Sequence, residues 1–295
     1  MGRQSSTGSW IAAVVVVLGL IAGGGFLACK LMHPGQSTHA DQRSTSVPLT
    51  AAPDTTNSAT PPILHPIAQA QAAPASASTA ALPALDQSDG DVSAALERLL
   101  GNRELSSLLV RPQLIARIVA SIDALPSRSL AGFMLPARTP KGDFVTQNVD
   151  GKTVIGADNA ARYASYMKVV EQVDPQALVS WYVHAYPLFQ QAYRKLGYPH
   201  AYFNDRLIVV IDHLLAAPQP AQSPTLQRSD KGDYTYADPS LEALSSGQRL
   251  LLRTGPANEA KIKAKLRVIR GLLSGQHLQP AVPATAVPPV NDSAG

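Results

Sequence analysis

The chain has 295 residues, with 25 Lys and Arg against 21 Asp and Glu and a net charge of +4 at pH 7. This small excess argues against a nucleic-acid-binding surface, which normally carries a stronger and more clustered positive charge. Because Cys29 is the only cysteine, the chain cannot form an intramolecular disulfide.

The first feature along the chain is an uncharged run from Trp10 to Cys29. Its length of about twenty residues is what a helix needs to cross the hydrocarbon core of a bilayer. We therefore predict a cytoplasmic stub at 1–9 and a transmembrane helix at 10–32. A single N-terminal anchor followed by a Pro-, Ala- and Ser-rich spacer suits a bacterial inner-membrane protein, so we expect a single-pass protein with a periplasmic domain.

The start of the chain leaves two alternatives open. Phe26-Leu-Ala-Cys29 loosely resembles a lipobox, which would make the protein a lipoprotein acylated at Cys29. The domain could also stay in the cytoplasm, where a basic final helix would meet nucleic acid. The basic residues next to the predicted span do not determine its orientation in the membrane, because Arg3 precedes the span and Lys30 follows it.

Residues 33–84 are rich in Pro, Ala, Ser, Thr and Gln and contain no Phe, Tyr or Trp. A segment of this composition buries too little apolar surface to offset the entropy lost on ordering. We predict a disordered linker at 33–84, which acts as a tether, and a disordered tail of similar composition at 276–295.

The remaining residues, 85–275, are sufficient for one hydrophobic core and are predicted to form a mainly α-helical domain. Apolar residues recur there at helical spacing, and Asp, Pro and Gly stand at the expected ends of the segments. The pattern predicts about seven helices, at 91–100, 112–125, 158–173, 175–196, 202–216, 238–254 and 258–273.

One or two small β-hairpins are predicted between the helices. In the first, Asp150-Gly151 separates two β-prone runs within Phe144–Ile155 and suits a two-residue turn with positive φ. The second would run from Thr225 to Tyr236 and turn near Lys231-Gly232.

Five stretches of the domain carry a family resemblance: Tyr186-Pro-Leu-Phe-Gln-Gln-Ala-Tyr193, Leu196-Gly-Tyr-Pro199, Tyr202-Phe-Asn-Asp-Arg-Leu207, Ile211-Asp-His-Leu-Leu215 and Gly247-Gln-Arg-Leu-Leu-Leu-Arg253. Through them the chain resembles bacterial domain-of-unknown-function family 3014, from about Leu82 to near Leu273. The resemblance implies one N-terminal membrane span and a C-terminal domain, and it implies no reaction, ligand or catalytic residue.

The candidate catalytic residues are Asp205, Asp212 and His213, on one predicted helix. Residues seven apart share a helix face, so Asp205 and Asp212 lie on the same side, with His213 beside them. Because a His near carboxylates can act as a general base, an envelope hydrolase using these three residues is our alternative function. The structural interpretation is that Asp205 caps the helix and that Arg206 pairs with a neighbouring carboxylate.

A candidate binding site is the aromatic cluster around Pro199, formed by Tyr193, Tyr198, Tyr202 and Phe203. These rings could form a groove for a peptide or a glycan, and packing in the core is the competing interpretation.

The last predicted helix carries five basic residues, whose spacing predicts that they lie on its solvent side: Lys261, Lys263, Lys265, Arg267 and Arg270.

We expect no metal and no cofactor. His184, His200 and His213 lack the spacing of metal ligands, and the sequence contains no phosphate-binding glycine motif. The leading functional prediction is a membrane protein, not an enzyme, whose domain binds or scaffolds an envelope protein or a cell-wall polymer. No nucleic-acid partner is expected, and the sequence sets no oligomeric state.

Overall fold

The computed structural model describes residues 61–71, 81–100, 109–110, 112–130, 135–136, 138, 140, 142–230 and 232–275. The predicted stub at 1–9, the predicted span at 10–32 and the predicted tail at 276–295 lie outside these residues, as does most of the predicted linker. In the described ranges, no helix combines the length and the apolar character that crossing a bilayer requires.

The domain is mainly helical, as predicted. Its described residues form eight α-helices rather than about seven. They are α1 (Asp89–Leu100), α2 (Leu114–Ala124), α3 (Ala164–Gln172), α4 (Pro175–Lys195), α5 (Phe203–Leu215), α6 (Pro239–Glu242), α7 (Ser246–Thr254) and α8 (Pro256–Leu273). Short 3₁₀ helices lie at Ile67–Gln69, Leu85–Gln87 and Ala157–Tyr163.

The additional helix arises because the predicted helix at 238–254 is interrupted, so that α6 and α7 are separate. Ser245 Oγ accepts the N–H of Gln248 at 3.2 Å, and Gln248 Oε1 accepts the N–H of Ser245 at 3.4 Å. This reciprocal capping box satisfies two main-chain donors and begins a new helix at α7.

Both predicted β-hairpins are present and antiparallel. They consist of β1 (Thr146–Val149) with β2 (Lys152–Ile155), and β3 (Leu226–Arg228) with β4 (Tyr234–Tyr236). The first turn has φ of 50° at Asp150 and 76° at Gly151, which is the pair of positive angles that an Asp-Gly turn supplies. A bridge between Val154 and Thr225 joins the two hairpins side by side.

The 21-residue helix α4 lies at the centre of the domain, against α1, α2, α5 and α8. Asp174 accepts the N–H groups of Gln176 and Ala177, and Pro175 occupies the first helical position, which confirms the predicted start of this helix. Helix α5 crosses α8 on one side and α2 on the other. The buried faces of these helices form one continuous hydrophobic core.

Helices α1 and α2 are joined by a side-chain cap. Asp89, the first residue of α1, accepts the N–H groups of Gln113 and Leu114, each at 2.7 Å. Helix α2 therefore begins at Leu114 and not at Pro112, because Gln113 adopts a left-handed conformation with φ of 57°. The contact fixes the start of α1 against the domain.

The prediction that Lys263 lies on the solvent side of the last helix is wrong. The Lys263 side chain is only 2% exposed, and its Nζ lies 2.8 Å from Glu259 Oε1, one helical turn earlier. Nζ also donates to the carbonyl of Ala217 at 2.5 Å. Burial raises the pKa of Glu259, and the bond from Lys263 opposes that rise.

The structure differs from the predicted disordered linker over residues 61–71, which we call the docked segment. These residues lie on the helical domain, and Ile67 and Ala70 pack against its core. Composition predicts disorder there because it does not register hydrogen bonds to distant side chains, and such bonds hold this segment.

Candidate functional site

The N-terminal end of α5 binds the main chain of the docked segment. Asp205 Oδ1 accepts the N–H of His65 at 2.6 Å, and Asp205 Oδ2 accepts the N–H of Leu64 at 3.1 Å. The neighbouring Asn204 donates from Nδ2 to the carbonyl of His65 at 2.8 Å. Two adjacent side chains therefore satisfy three main-chain polar groups of Leu64 and His65, which lie in a bend.

Asn204 is held in place from inside the domain. Its side chain is fully buried, and its Oδ1 accepts the hydroxyl of Tyr182 at 3.4 Å. Burial raises the pKa of Tyr182 well above its ordinary value, with smaller contributions from Tyr186 and Asp205, so this hydroxyl keeps its proton. The amide of Asn204 thus presents its N–H group outward, toward the docked segment.

The other end of the docked segment is bound at the end of α8 and the start of α4. The N–H of Gln71 donates to the carbonyl of Leu272 at 2.8 Å, and Gln176 Nε2 donates to the carbonyl of Gln71. Gln71 Nε2 donates to the carbonyl of Gly275 at 3.2 Å. We call these contacts, together with those of Asn204 and Asp205, the segment-binding site.

The middle of the docked segment is shaped by Pro66. The carbonyl of Pro66 accepts the N–H of Gln69 at 2.9 Å and so begins the 3₁₀ turn. Ile63 and Leu64, which precede it, are 45% and 67% exposed. Recognition at this end therefore depends on main-chain groups and on the proline turn, and much less on large apolar side chains.

Arg206, the next residue of α5, does pair with a carboxylate, as the structural interpretation expects. It donates to Asp123 of α2 from Nε to Oδ1 and from Nη2 to the main-chain carbonyl, both at 2.7 Å. Tyr198 donates its hydroxyl to Asp123 Oδ2 at 3.1 Å, and this bond raises the pKa of Tyr198. The contacts attach α5 to α2 beside the segment-binding site.

The three candidate catalytic residues have separate partners. Asp205 binds the docked segment, whereas Asp212 accepts from Arg270 of α8 at 2.5 and 3.0 Å. Asp205 and Asp212 are seven residues apart, which is a rise of about 10 Å along the helix. The structure places them at opposite ends of α5.

The third candidate, His213, belongs to the contact between α5 and α7. Its Nε2 lies 2.8 Å from Ser245 Oγ, and its carbonyl accepts from Gln248 Nε2 at 3.0 Å. Burial, and secondly the charge of Arg206, lower the pKa of His213. Ser245 is buried, and its Oγ also accepts the N–H of Gln248, so the serine caps helix α7.

The structure brings three members of the aromatic cluster together and fills the space between them. The rings of Tyr193 and Tyr198 stack with centroids 4.5 Å apart, and Phe203 lies 5.5 Å from Tyr193. Tyr193 and Phe203 are buried in the core. Tyr202 is the residue at the start of α5 and is partly exposed. The cluster packs the α4–α5 corner and leaves Tyr198 at the surface.

A cavity of about 610 Å³ lies between α1 and α4, and we call it the α1–α4 groove. Its walls combine alanines of both helices with the indole of Trp181, and its polar residues are Asp91, Arg98 and His184. The sequence did not predict it, because Trp181 fits the apolar face of α4 and alanines give no functional signal. In the part of the chain that the structure describes, no group of three His, Cys, Asp or Glu residues could hold a metal ion.

Comparison with known proteins places the chain in a family. No curated protein and no solved structure matches it. One family model matches residues 114–270, which is more than half of the chain, and its description is "Protein of unknown function (DUF3014)". The match contains all five stretches of the resemblance, whereas the earlier part, 82–113, lies outside it. The chain therefore belongs to the DUF3014 family of proteins of unknown function.

Proposed function

We propose that this protein is a single-pass membrane protein of the bacterial envelope whose helical domain binds an extended segment of another envelope protein, and that it is not an enzyme. The observation that carries the proposal is the contact of Asn204 and Asp205 with the main chain of Leu64 and His65. This contact supports a polypeptide as the ligand of the domain surface.

The chemistry of the contact favours a polypeptide ligand. Both oxygens of Asp205 accept successive N–H groups, and a bond to a charged group contributes about 1.5–3 kcal/mol. The Asn204 amide adds a neutral hydrogen bond to the His65 carbonyl, which contributes about 0.5–1.5 kcal/mol. Since these bonds use main-chain groups, a segment of another protein makes them equally well if a proline turn follows.

The membrane part of the proposal rests on the sequence. The uncharged run from Trp10 to Cys29 has the length of a transmembrane helix, and the Pro- and Ala-rich stretch after it suits a tether. A tethered domain that binds a peptide can connect the membrane to a second envelope protein. The scaffold function then needs no catalytic group.

The contacts of the candidate catalytic residues support a binding function rather than hydrolysis. Asp205, Asp212 and His213 each bond to a different element, and His213 is next to a serine that caps a helix. A hydrolytic site needs a base, a nucleophile and room for substrate within hydrogen-bond reach of one another. In the binding proposal, Asp205 has the role that it has in the structure, which is to accept main-chain N–H groups.

The experiment is peptide binding to the full-length protein in lipid nanodiscs, with residues 61–71 replaced by a Gly/Ser repeat so that the segment-binding site is vacant. A fluorescent peptide with the sequence of residues 61–71 should bind saturably, and a scrambled peptide should not. Asp205→Asn, which keeps the shape of the side chain, should weaken binding at least about tenfold. Asp212→Asn, on the same helix, should not change it.

Two results would contradict the proposal. One is the absence of saturable binding by the variant with residues 61–71 replaced, although its helical domain still unfolds cooperatively on heating. The other is equal affinity of the Asp205→Asn and Asp212→Asn variants, since the peptide would then bind elsewhere.

A further inference from the structure

The side of α1 that faces the α1–α4 groove carries a self-complementary pattern. Asp91, Ala94 and Arg98 are its exposed residues, and all three line the groove. Val92 and Leu96 are buried in the core, and Val92 also lines the groove. The exposed stripe therefore has an acid at one end, a base at the other and a small residue between them.

Neither charge of the stripe, that of Asp91 or that of Arg98, is paired with an opposite charge in the part of the domain that the structure describes. The bond that Arg98 does make runs from its Nε to the carbonyl of Ala94 in the same helix. Both charges are thus available to a partner that lies in the groove.

The spacing of the charges fits one partner, a second copy of the same helix. Asp91 and Arg98 are equally far from the midpoint between Ala94 and Ala95 and about 10 Å apart along α1. If two copies of α1 lie antiparallel and cross at that midpoint, each Asp91 faces an Arg98 of the other copy. A two-fold symmetric interface requires this reciprocity, in which one contact occurs twice.

We propose that the α1–α4 groove is a homodimer interface, in which α1 of a second copy lies antiparallel to α1. Ala94, the exposed residue at the crossing point, carries no bulky side chain and lets the two helices approach closely, while Ala95 beside it is buried. Trp181 forms the facing wall, where its edge-to-face contact with Phe189, at 5.8 Å between centroids, fixes the indole. A positioned, partly exposed Trp beside small residues is the type of side chain that contributes most at protein interfaces.

The α1–α4 groove does not include Asn204 or Asp205, although Gln176 of the segment-binding site directly precedes Ala177, which lines the groove. The groove lies between α1 and α4, whereas Asn204 and Asp205 are at the start of α5. A dimer would present two segment-binding sites and would double the attachment of a scaffold to its partner.

The test uses the full-length chain in its native membrane, with Ala94→Cys at the predicted crossing point and a short thiol-reactive crosslinker. The Ala94→Cys chain should form a crosslinked dimer, while the parent chain, whose only cysteine is Cys29, gives the background. Ala264→Cys, at an exposed alanine of α8, is the matched control and should not exceed that background.

Charge reversal then decides between this dimer and a nonspecific contact. With Asp91→Arg, the Arg at 91 of each copy faces Arg98 of the other copy. With Arg98→Asp, the Asp at 98 of each copy faces Asp91 of the other. Each substitution should therefore lower the yield of crosslinked dimer at least about tenfold. Two differently tagged chains, one with each substitution, should crosslink to each other, because every facing pair is again opposite in charge. The double variant Asp91→Arg/Arg98→Asp should also regain the homodimer.

Several results would overturn the proposal. Single reversals that crosslink like the Ala94→Cys parent would remove the charge pairing. Failure of the mixed pair to crosslink, with both chains folded and in the membrane fraction, would exclude the antiparallel arrangement. A crosslinked product that contains a different protein, and no second copy, would assign the groove to that protein.

Discussion

Asp205 and His65 are 140 positions apart in the chain, and yet the carboxylate Oδ1 lies 2.6 Å from the main-chain nitrogen. This bond joins a segment that composition predicts to be disordered to a helix within the family region. Within the chain, Asp205 therefore binds the main chain of the docked segment.

The far end of the docked segment depends on Gly275. Its φ is +69°, and a Cβ added there would lie 2.6 Å from the carbonyl oxygen of Gln69. Gly275→Ala should therefore displace the segment and raise the hydrogen–deuterium exchange rate of the Gln71 amide, which donates to Leu272. Gly232→Ala is the matched control, because Gly232 has φ of +83° and no atom within 4 Å of the added Cβ.

The control should leave Gln71 exchange unchanged, although it shares the strain of a positive φ, about 1–2 kcal/mol. Equal exchange at Gln71 in the two variants would mean that the close approach of Gly275 and Gln69 has no part in docking.

The buried pair of Lys263 and Glu259 should contribute strongly to stability only as a pair. Lys263→Met leaves a buried carboxylate without its counter-charge, and we expect the free energy of unfolding to fall by about 3–5 kcal/mol. Adding Glu259→Leu should restore most of this loss, because no buried charge then remains. Denaturant unfolding of the single and double variants measures both effects.

The exposed pair of Lys261 and Glu171 provides the comparison, since these side chains are 56% and 47% exposed. Lys261→Met should change the free energy of unfolding by less than about 1 kcal/mol. Equal free energies of unfolding for Lys263→Met and Lys261→Met would contradict the burial of Lys263.

The lowered pKa of His213, caused by burial and secondly by the charge of Arg206, should make stability depend on pH. The pKa of His213 is lowered in the folded protein, so below about pH 6.5 the unfolded chain binds a proton that the folded chain does not. The contribution of His213 to the free energy of unfolding therefore decreases as the pH falls through that value toward the lowered pKa of the folded state.

The measurement is the difference in unfolding free energy between the parent protein and His213→Gln from pH 7.5 to pH 5. Subtracting the variant removes the contributions of other groups, including Glu259. The parent should lose stability relative to the variant as the pH falls. A constant difference, or one of opposite sign, would contradict the neutral state of His213 in the fold.

A side chain at Gly247 in α7 should be destabilising, because an added Cβ would lie 2.6 Å from Leu214 Cδ2 and 3.1 Å from the carbonyl of Leu125. Gly247→Ala should lower the free energy of unfolding by about 1–3 kcal/mol through overpacking. Gly90→Ala in α1 meets no atom within 4 Å and should be neutral or stabilising by up to about 1 kcal/mol. A stabilising Gly247→Ala would show that α7 does not approach α5 so closely.

Local signals in the sequence were sufficient for much of the fold. Helical periodicity placed the core faces of α2, α4 and α5, and Asp150-Gly151 placed the first hairpin. The break between α6 and α7 was missed although it had a sequence signal, since Ser245 and Gln248 have the spacing of a capping box.

The contacts that define the candidate sites could not be predicted, because they depend on distant pairing. The partners of Asp205 are main-chain groups, which every residue has, so no pattern near Leu64 or His65 marks them. Lys263 is buried because Ala217, from another part of the chain, supplies a carbonyl above it. The α1–α4 groove forms from two helices that are far apart in sequence.

The most direct test of the account is the hydrogen–deuterium exchange of the Leu64 and His65 amides in the full-length protein, compared between Asp205→Asn and Asp212→Asn. Loss of the carboxylate at 205 should raise the exchange of both amides at least about tenfold, since a bond to a charged group contributes about 1.5–3 kcal/mol. Asp212→Asn should leave them as slow as in the parent. Equal exchange in the parent and both variants would contradict recognition of the docked segment by Asp205.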